Sequence, residues 1–552
     1  MARMLITAGT VFGGDPPAAG PTAMVVDGAR VSWLGRAEEI PPPVPRQKIE
    51  LGQDAVVIPG LVDSHQHMVD LPLLARWIDC RGVRSPEEAV ARLEASAGHV
   101  PEAEWIVGWG YDAASVERAR RATRTQLDAV APGRPVLLIE SSFHQGAASS
   151  AAFASVGWGR NTPRWWGGEL ERDRRGEPTG MVWERAFGVV AMAARSAAEA
   201  SMAGGATEEY RAGARRLLSQ GITHAGEALA TGRHLELLSA AALPVGFTVF
   251  PASSRSFFAS PWDALDGPRT GEGDAHLGVG PLKLIADGGE RCAVSLRPAA
   301  ALLQTARILA AAPREPAGLR VLLTARAKFS KGRLRTGTLH YPTGALADIM
   351  AAALQRGFRL AVHALGNEGV RAALDGYEQA RRRTGVDLEG CRIEHAHFAE
   401  PGQLEQAAAL GLILSMQPGH AVAFARTMRL AQVDRVFDPI PMRIAIDAGC
   451  RVAISSDGPT APGTALENMR AAVDRMPADG IPIRPDLAIS RAESLRAATV
   501  GGAEALGLAR VKGSLEPGKQ ADFAVLSGDP FDPATKVRET WIAGSRVWSA
   551  PA

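Results

Sequence analysis

Short apolar runs alternate with amphipathic stretches along most of this 552-residue chain. Runs at 56–62, 135–139, 222–225, 245–250, 282–286, 359–362, 391–394, 412–416 and 451–455 are compact, apolar and bounded by turn residues, and predict buried strands. Stretches at 87–97, 208–220, 344–356, 369–382 and 401–410 carry apolar residues at three- and four-residue intervals and predict helices packed on one face. Gly221, Gly357, Gly411 and Gly449 each end a helical stretch just before a strand. A glycine at a helix C-terminus can take the left-handed conformation that stops the helix. Repeated strand–helix units of this kind predict an α/β fold, a (β/α)8 barrel of the TIM type. Nine strand candidates are one too many for eight units. The surplus is assigned to an insertion at roughly 100–200, where periodicity is weak.

The two ends of the chain differ from this middle. Residues 4–12, 23–27 and 30–34, and at the other end 522–526, 539–542 and 546–548, read as short strands, and Pro41, Pro42 and Pro43 mark an extended loop. These ends predict one small β-sandwich built from both termini (1–58 plus 505–552), leaving 59–504 as the barrel with its insertion.

Composition narrows the classes. The chain is 46% hydrophobic and 22% charged, and its 61 Lys and Arg against 59 Asp and Glu give a net charge of +2. That is a folded chain with a large core. Its charge balance has no footprint for nucleic acid or an anionic membrane. The longest apolar run, 187–194, stops at Arg195, far short of a membrane span. The first residues lack a secretory apolar core. Cys80, Cys292, Cys391 and Cys450 are scattered and form neither a zinc knuckle nor a disulfide framework. A cytoplasmic setting is expected, with a small molecule as the partner.

The chemistry-bearing residues fall at strand ends. The first is His65-Gln66-His67, after Pro59-Gly60-Leu61-Val62-Asp63-Ser64. Residues i and i+2 of a strand share a face, so the two imidazoles point the same way and can bind one divalent metal. Later runs end at His363, at His395 and, after Ser455-Ser456, at Asp457. Lys283 lies inside the apolar run 282–286. Each alone has an ordinary explanation, as a hydrogen-bonded core histidine or a paired lysine. In the order His-x-His, Lys, His, His, Asp, all at the mouth end of predicted strands, they predict a metal centre.

These residues resemble the amidohydrolase superfamily, and more narrowly amidohydrolase family 3, the YtcJ-like group that includes N-substituted formamide deformylase. Trp105-Ile106-Val107-Gly108-Trp109-Gly110, Gly167-Gly168-Glu169-Leu170-Glu171-Arg172-Asp173, His363-Ala364-Leu365-Gly366-Asn367, Arg392-Ile393-Glu394-His395-Ala396 and Gln417-Pro418-Gly419-His420 are similar to family motifs. The tail from Lys512 to Asp522 is similar to the superfamily ending. The resemblance implies roles. His65, His67 and Asp457 would bind one metal, His363 and His395 a second, and Lys283 would bridge them if carbamylated. The metals would be Zn2+, one or two, with Mn2+ or Fe2+ as substitutes. A metal-activated water would attack a non-peptide C–N amide bond, that of an N-substituted formamide or related N-acyl amine, with Asp457 as general base and then acid. His144 is placed as a donor to the oxyanion, and His224, His397, His420 and Trp109 as substrate contacts. The family also implies a possible homodimer.

The sequence departs from the family at Gly289-Glu290-Arg291-Cys292, at His397 where Gln is frequent, and at Asn367 where Asp is frequent. Three alternatives stay open. His224-Ala225-Gly226-Glu227 spells a zinc-deaminase motif, although it precedes Lys283. A cyclic-amide (hydantoinase-like) hydrolase shares the metal set. A metal-free, non-enzymatic relative would have lost ligands that are all present here. Trp77, Trp109, Trp158, Trp165, Trp166 and Trp183 either shape an apolar pocket or anchor a core.

Overall fold

The computed structural model describes residues 3–13, 21–112, 121–164, 166–202, 206–256, 258–319, 322, 327–460 and 463–551. Trp165 lies outside them. Among the described residues the middle of the chain carries the parallel strands β1 (Leu61–Gln66), β2 (Ile222–Ala230), β3 (Gly246–Pro251), β4 (Leu282–Ile285), β5 (Leu360–Ala364), β6 (Arg392–His395), β7 (Ile413–Met416) and β8 (Arg451–Ile454). β1, β2 and β3 pair in that order, and β3 continues onto Leu277–Val279, the short strand just before β4. β4 to β8 pair in chain order. β8 then meets β1. The Ser64 hydroxyl donates to Ile454 O at 3.3 Å, and the Asp457 N–H donates to His65 O at 2.9 Å.

The predicted helices form close to their expected limits, as Pro86–Ala97, Ala206–Leu218, Ala345–Gln355, Asn367–Thr384 and Pro401–Ala409. Gly221, Gly357, Gly411 and Gly449 all have φ between 70° and 87°. A side chain is disfavoured at that φ, which is why these helices stop where they do. The helices cover the strands with apolar side chains. Leu360, Val362, Ile349, Met350, Leu374 and Tyr377 belong to one buried cluster. Each such aliphatic side chain contributes about 1.5–3 kcal/mol on burial. The Tyr377 hydroxyl donates to Leu360 O and Arg392 O, locking helix 367–384 across β5 and β6.

The run at 56–62 is two strands, not one. Val56–Pro59 pairs antiparallel with Phe523–Leu526, and β1 begins after Gly60. Pro59 has no N–H for a continuous ladder, and a Cβ at Gly60 would lie 2.3 Å from the Thr223 hydroxyl. Strands from the two ends share one sheet: Thr10–Val11, Val56–Pro59, Phe523–Leu526, Val537–Ile542 and Ser545–Ser549. A second sheet holds Arg3–Thr7, Ala23–Asp27, Arg30–Gly35 and Gln47–Glu50. Met4, Ile6, Met24, Val26, Val57, Phe523 and Trp541 bury a common core between them.

The surplus strand at 135–139 lies in the insertion. Val136–Glu140 belongs to a six-stranded mixed sheet with its own apolar core. That sheet already begins at Ile78–Asp79, earlier than the expected 100. A further excursion between β4 and helix 345–355 was not evident from periodicity. It carries helix Pro298–Ala311 and the small sheet Val294–Leu296, Lys328–Ser330 and Arg333–Thr336. Among the described residues no helix is long and apolar enough to cross a membrane.

Candidate metal centre

β1 delivers His65 and His67 at its C-terminal end, and the loop after β8 delivers Asp457 to them. One donor atom from each of the three lies within 4.8 Å of the others. His67 Nε2 stands 3.1 Å from Asp457 Oδ1, and His65 Nε2 stands 3.5 Å from the same oxygen. Asp63, in β1, fixes this approach. Its carboxylate accepts from the Ser456 N–H (3.0 Å) and the Ser456 hydroxyl (2.5 Å). Burial pushes the Asp63 carboxyl up to about 6.

The tautomers follow from the bonds. His65 Nδ1 donates to Glu394 Oε2 at 2.5 Å, His67 Nδ1 to Ala228 O at 2.8 Å and His395 Nδ1 to the Gln417 side-chain oxygen at 2.9 Å. Each Nδ1–H is spent on an acceptor, so each Nε2 keeps its lone pair for a metal. Burial, the largest influence, and the nearby Lys283 lower His65 to about 4. Burial likewise holds His363 and His395 well below the usual imidazole range. Neutral imidazoles are what a divalent metal requires.

Lys283 of β4 reaches the same point, with its Nζ 3.1 Å from His65 Nε2. Burial lowers it to about 8, which frees a fraction of the amine near neutral pH. The His363 and His395 rings lie 4.5 Å apart, and His395 is 5.0 Å from His65. His363 Nε2 is buried without a hydrogen-bond partner. A buried lone pair with nothing to accept fits a ligand to a metal ion. The donor set therefore fits a divalent metal at His65, His67 and Asp457, with Lys283, His363 and His395 around it. His395 (φ 75°) and Asp457 (φ 53°) hold left-handed backbone conformations. Non-glycine residues are strained there, and such strain gathers at functional sites.

Asp457 is ionised. Burial alone would raise its carboxyl, but the close approach of the His67, His65 and His395 rings outweighs burial and holds it well below the carboxylate range. His420 Nε2 is 3.9 Å from Asp457 Oδ2, and His397 shares the Gln417 oxygen with His395. Both line the same cluster. His144 also joins it, 5.4 Å from the His363 ring, with its Nδ1 bonded to Glu184 at 2.7 Å.

Two expected substrate contacts are not brought to the cluster. His224 sits near the start of β2, and its Nε2 pairs with the Thr248 hydroxyl at 2.9 Å beside Lys512. The letters of its motif suggested a ligand, but β2 pairs His224 with Val62, three residues before His65. Glu227 of that motif accepts from the Gln66 side chain and the Met68 and Val69 N–H groups, and so anchors the chain around His67. Trp109 packs in the apolar core of the inserted sheet, with the Arg81 guanidinium 4.5 Å above its ring. Of the other tryptophans, Trp166 is exposed, and the Arg121 and Arg291 guanidinium groups lie 4.9 and 3.4 Å from the Trp183 ring centroid.

Sequence reasoning missed Glu394, Arg392, Gln417 and Glu184. Glu394 is fully buried, bridging Arg392 and His65. Its one sequence signal is a carboxylate placed directly before a candidate ligand, inside an apolar strand.

The sequence profile of the Amidohydrolase family matches residues 53–548. The chain is 30% identical to N-substituted formamide deformylase of Arthrobacter pascens over 95% of this chain and 93% of that protein. It is 26% identical to YtcJ of Bacillus subtilis over 90% and 89%. An uncharacterized metal-dependent hydrolase from Pyrococcus horikoshii shares the fold, with a TM-score of 0.66 at 21% identity over 96% of this chain and 98% of that one. A zinc-bound variant of atrazine chlorohydrolase from Arthrobacter aurescens is a more distant fold relative, with a TM-score of 0.52 at 14% identity over 99% of this chain and 95% of that one. The chain belongs to the amidohydrolase family.

Proposed function

We propose that this chain is a (β/α)8 barrel hydrolase that cleaves the C–N bond of an N-substituted formamide or related N-acyl amine. The observation that carries the reading is the triangle of His65, His67 and ionised Asp457, with Lys283 against His65. The 30% identity to a deformylase supports the substrate class. The bonds from β8 back to β1 support a closed barrel. The shared sheet of both termini supports a sandwich domain of 1–58 plus 505–552 beside a 59–504 barrel.

Imidazole with carboxylate suits Zn2+, with Mn2+ or Fe2+ as substitutes. His65, His67 and Asp457 would hold one ion, and His363 and His395 a second, with Lys283 between them as a carbamate. When bound, a divalent ion supplies Lewis acidity, lowering the pKa of a bound water toward neutrality and polarising the scissile carbonyl. The chain's own residues do the rest. Asp457 takes a proton from the attacking water and returns it to the departing amine nitrogen. His144, bonded to Glu184 and 5.4 Å from the His363 ring, would stand beside the carbonyl oxygen that gains charge on that side of the site. Glu394 and Gln417 hold the ligand rings in place.

A product assay tests this reading. The metal-loaded protein is incubated with N-formyl and N-acyl amines, a hydantoin and an aminopurine. Release of a primary amine from the first group supports the reading. Ring opening of the hydantoin alone, or ammonia from the purine alone, contradicts it.

A further inference from the structure

Helix Pro298–Ala311 turns an apolar face to solvent as well as one to the protein. Its exposed positions include Ala299, Leu302, Leu303, Ala306, Leu309 and Ala310, all apolar, while the polar Gln304, Thr305 and Arg307 are half-buried. Leu302 is 72% exposed, Leu303 50% and Leu309 54%. Only Ala301 and Ile308 are buried. A helix that faced water would carry the opposite pattern. On the neighbouring hairpin Phe329 is 68% exposed. The excursion is held to the protein at its polar positions. Gln304 donates to Ala431 O, Arg307 to Arg435 O, and Arg333 to Glu400. Those partners follow β7 and β6, so the excursion lies on the side of the strands where the metal centre lies.

The same segment concentrates positive charge. Between 297 and 335 there are nine Lys and Arg and one acidic residue, Glu315. That is a net +8 inside a chain whose total is +2, which leaves the remaining residues net negative. The whole-chain balance, which argued against a membrane, conceals this. Among the described residues Arg297, Arg314, Lys328 and Lys331 are exposed and make no ion pair, whereas Arg333 and Arg335 are paired with Glu400 and Glu368.

An apolar face with unpaired cations around it is the combination that seats a helix at a lipid–water interface. We propose that helix Pro298–Ala311, with its flanking Arg297 and Arg314, and the hairpin Lys328–Thr336 form a docking surface for an anionic phospholipid bilayer. The leucines and Phe329 enter the acyl boundary, and Arg297, Arg314, Lys328 and Lys331 meet the headgroups. A second copy of the chain fits less well. A two-fold contact sets each patch against itself, and here it would bring like charges together.

Co-sedimentation with phosphatidylcholine vesicles, with and without phosphatidylglycerol, tests the proposal. The expected result is binding that requires phosphatidylglycerol and weakens at high salt. Each exposed cation near an anionic surface strengthens partitioning roughly fivefold. Lys328→Glu with Lys331→Glu should therefore reduce it at least tenfold. Leu302→Glu with Leu309→Glu should abolish it. All four positions are exposed, so circular dichroism and hydrolysis of a soluble amide should be unchanged. Absence of vesicle binding, or binding that ignores phosphatidylglycerol, overturns the proposal. So does a stable dimer in analytical ultracentrifugation that Leu302→Glu dissociates, since a second copy would then cover the face.

Discussion

Glu394→Gln tests how the metal centre is held. Glu394 and Arg392 are both fully buried, with Arg392 Nε 2.5 Å and Nη2 2.9 Å from the carboxylate. The second oxygen bond, to His65 Nδ1, fixes the imidazole with Nε2 toward Asp457 and Lys283. A glutamine keeps the shape but has one acceptor. It can receive the His65 proton or face Arg392, and in either case one buried donor loses its partner. Arg392 keeps Ser64 O and Ala505 O, so the fold survives. Outright removal of one member of a buried ion pair costs about 3–5 kcal/mol, and the isosteric amide should cost somewhat less. The freed His65 ring should bind metal about 10–100-fold more weakly. Chelator competition gives the metal affinity, and urea unfolding of the metal-free protein separates the stability effect. Metal affinity within about twofold of the unsubstituted protein would refute the argument that Glu394 orients His65, since the expected loss is at least about tenfold.

Further outcomes follow from the same contacts. His65→Ala and Asp457→Asn should each abolish amide hydrolysis with near-native circular dichroism, and near-normal turnover in either would remove the site. Lys283→Ala should lower bound metal per chain, with partial recovery on adding a short carboxylate; unchanged stoichiometry would reject its bridging role. His224→Ala should retain metal and activity while lowering stability, because the ring bonds Thr248 rather than the cluster. Acid should act partly through Glu199. Burial would raise its carboxyl, but bonds to His234 and Arg195 outweigh burial and lower it from 4.5 to about 2. A lowered folded-state pKa contributes stability that is full above the unfolded value and lost as pH falls through the folded one. The unsubstituted protein should therefore lose stability between about pH 4.5 and 2 more steeply than Glu199→Gln in urea unfolding; parallel curves would contradict this.

Much of the fold was legible because its signals are local. The glycines after helices 206–218, 345–355 and 401–409 mark their ends through φ alone. Apolar runs ending in His363, His395 and the Asp457 loop placed ligands at strand ends. Non-local features were not legible. Glu394 meets His65 across 329 positions, and Glu227 meets Met68 across 159. Neither pairing leaves a periodic trace. His224 misled for the opposite reason, since a familiar four-residue string says nothing of how far along β2 it stands. The run at 56–62 looked continuous because Pro59 and Gly60 interrupt hydrogen bonding, not hydrophobicity. Helix 298–311 is apolar nearly all round, so its sequence does not mark a face, and only exposure shows which side is outward.

The most direct test of the central claim is elemental analysis of the purified protein beside purified His65→Ala, with amine release from N-formyl amines measured on the same samples. The account predicts stoichiometric divalent metal, with zinc as the leading ion, and amine release in the unsubstituted protein, and loss of both in the variant. Equal metal content in the two proteins, or amine release that survives exhaustive chelation, would contradict it.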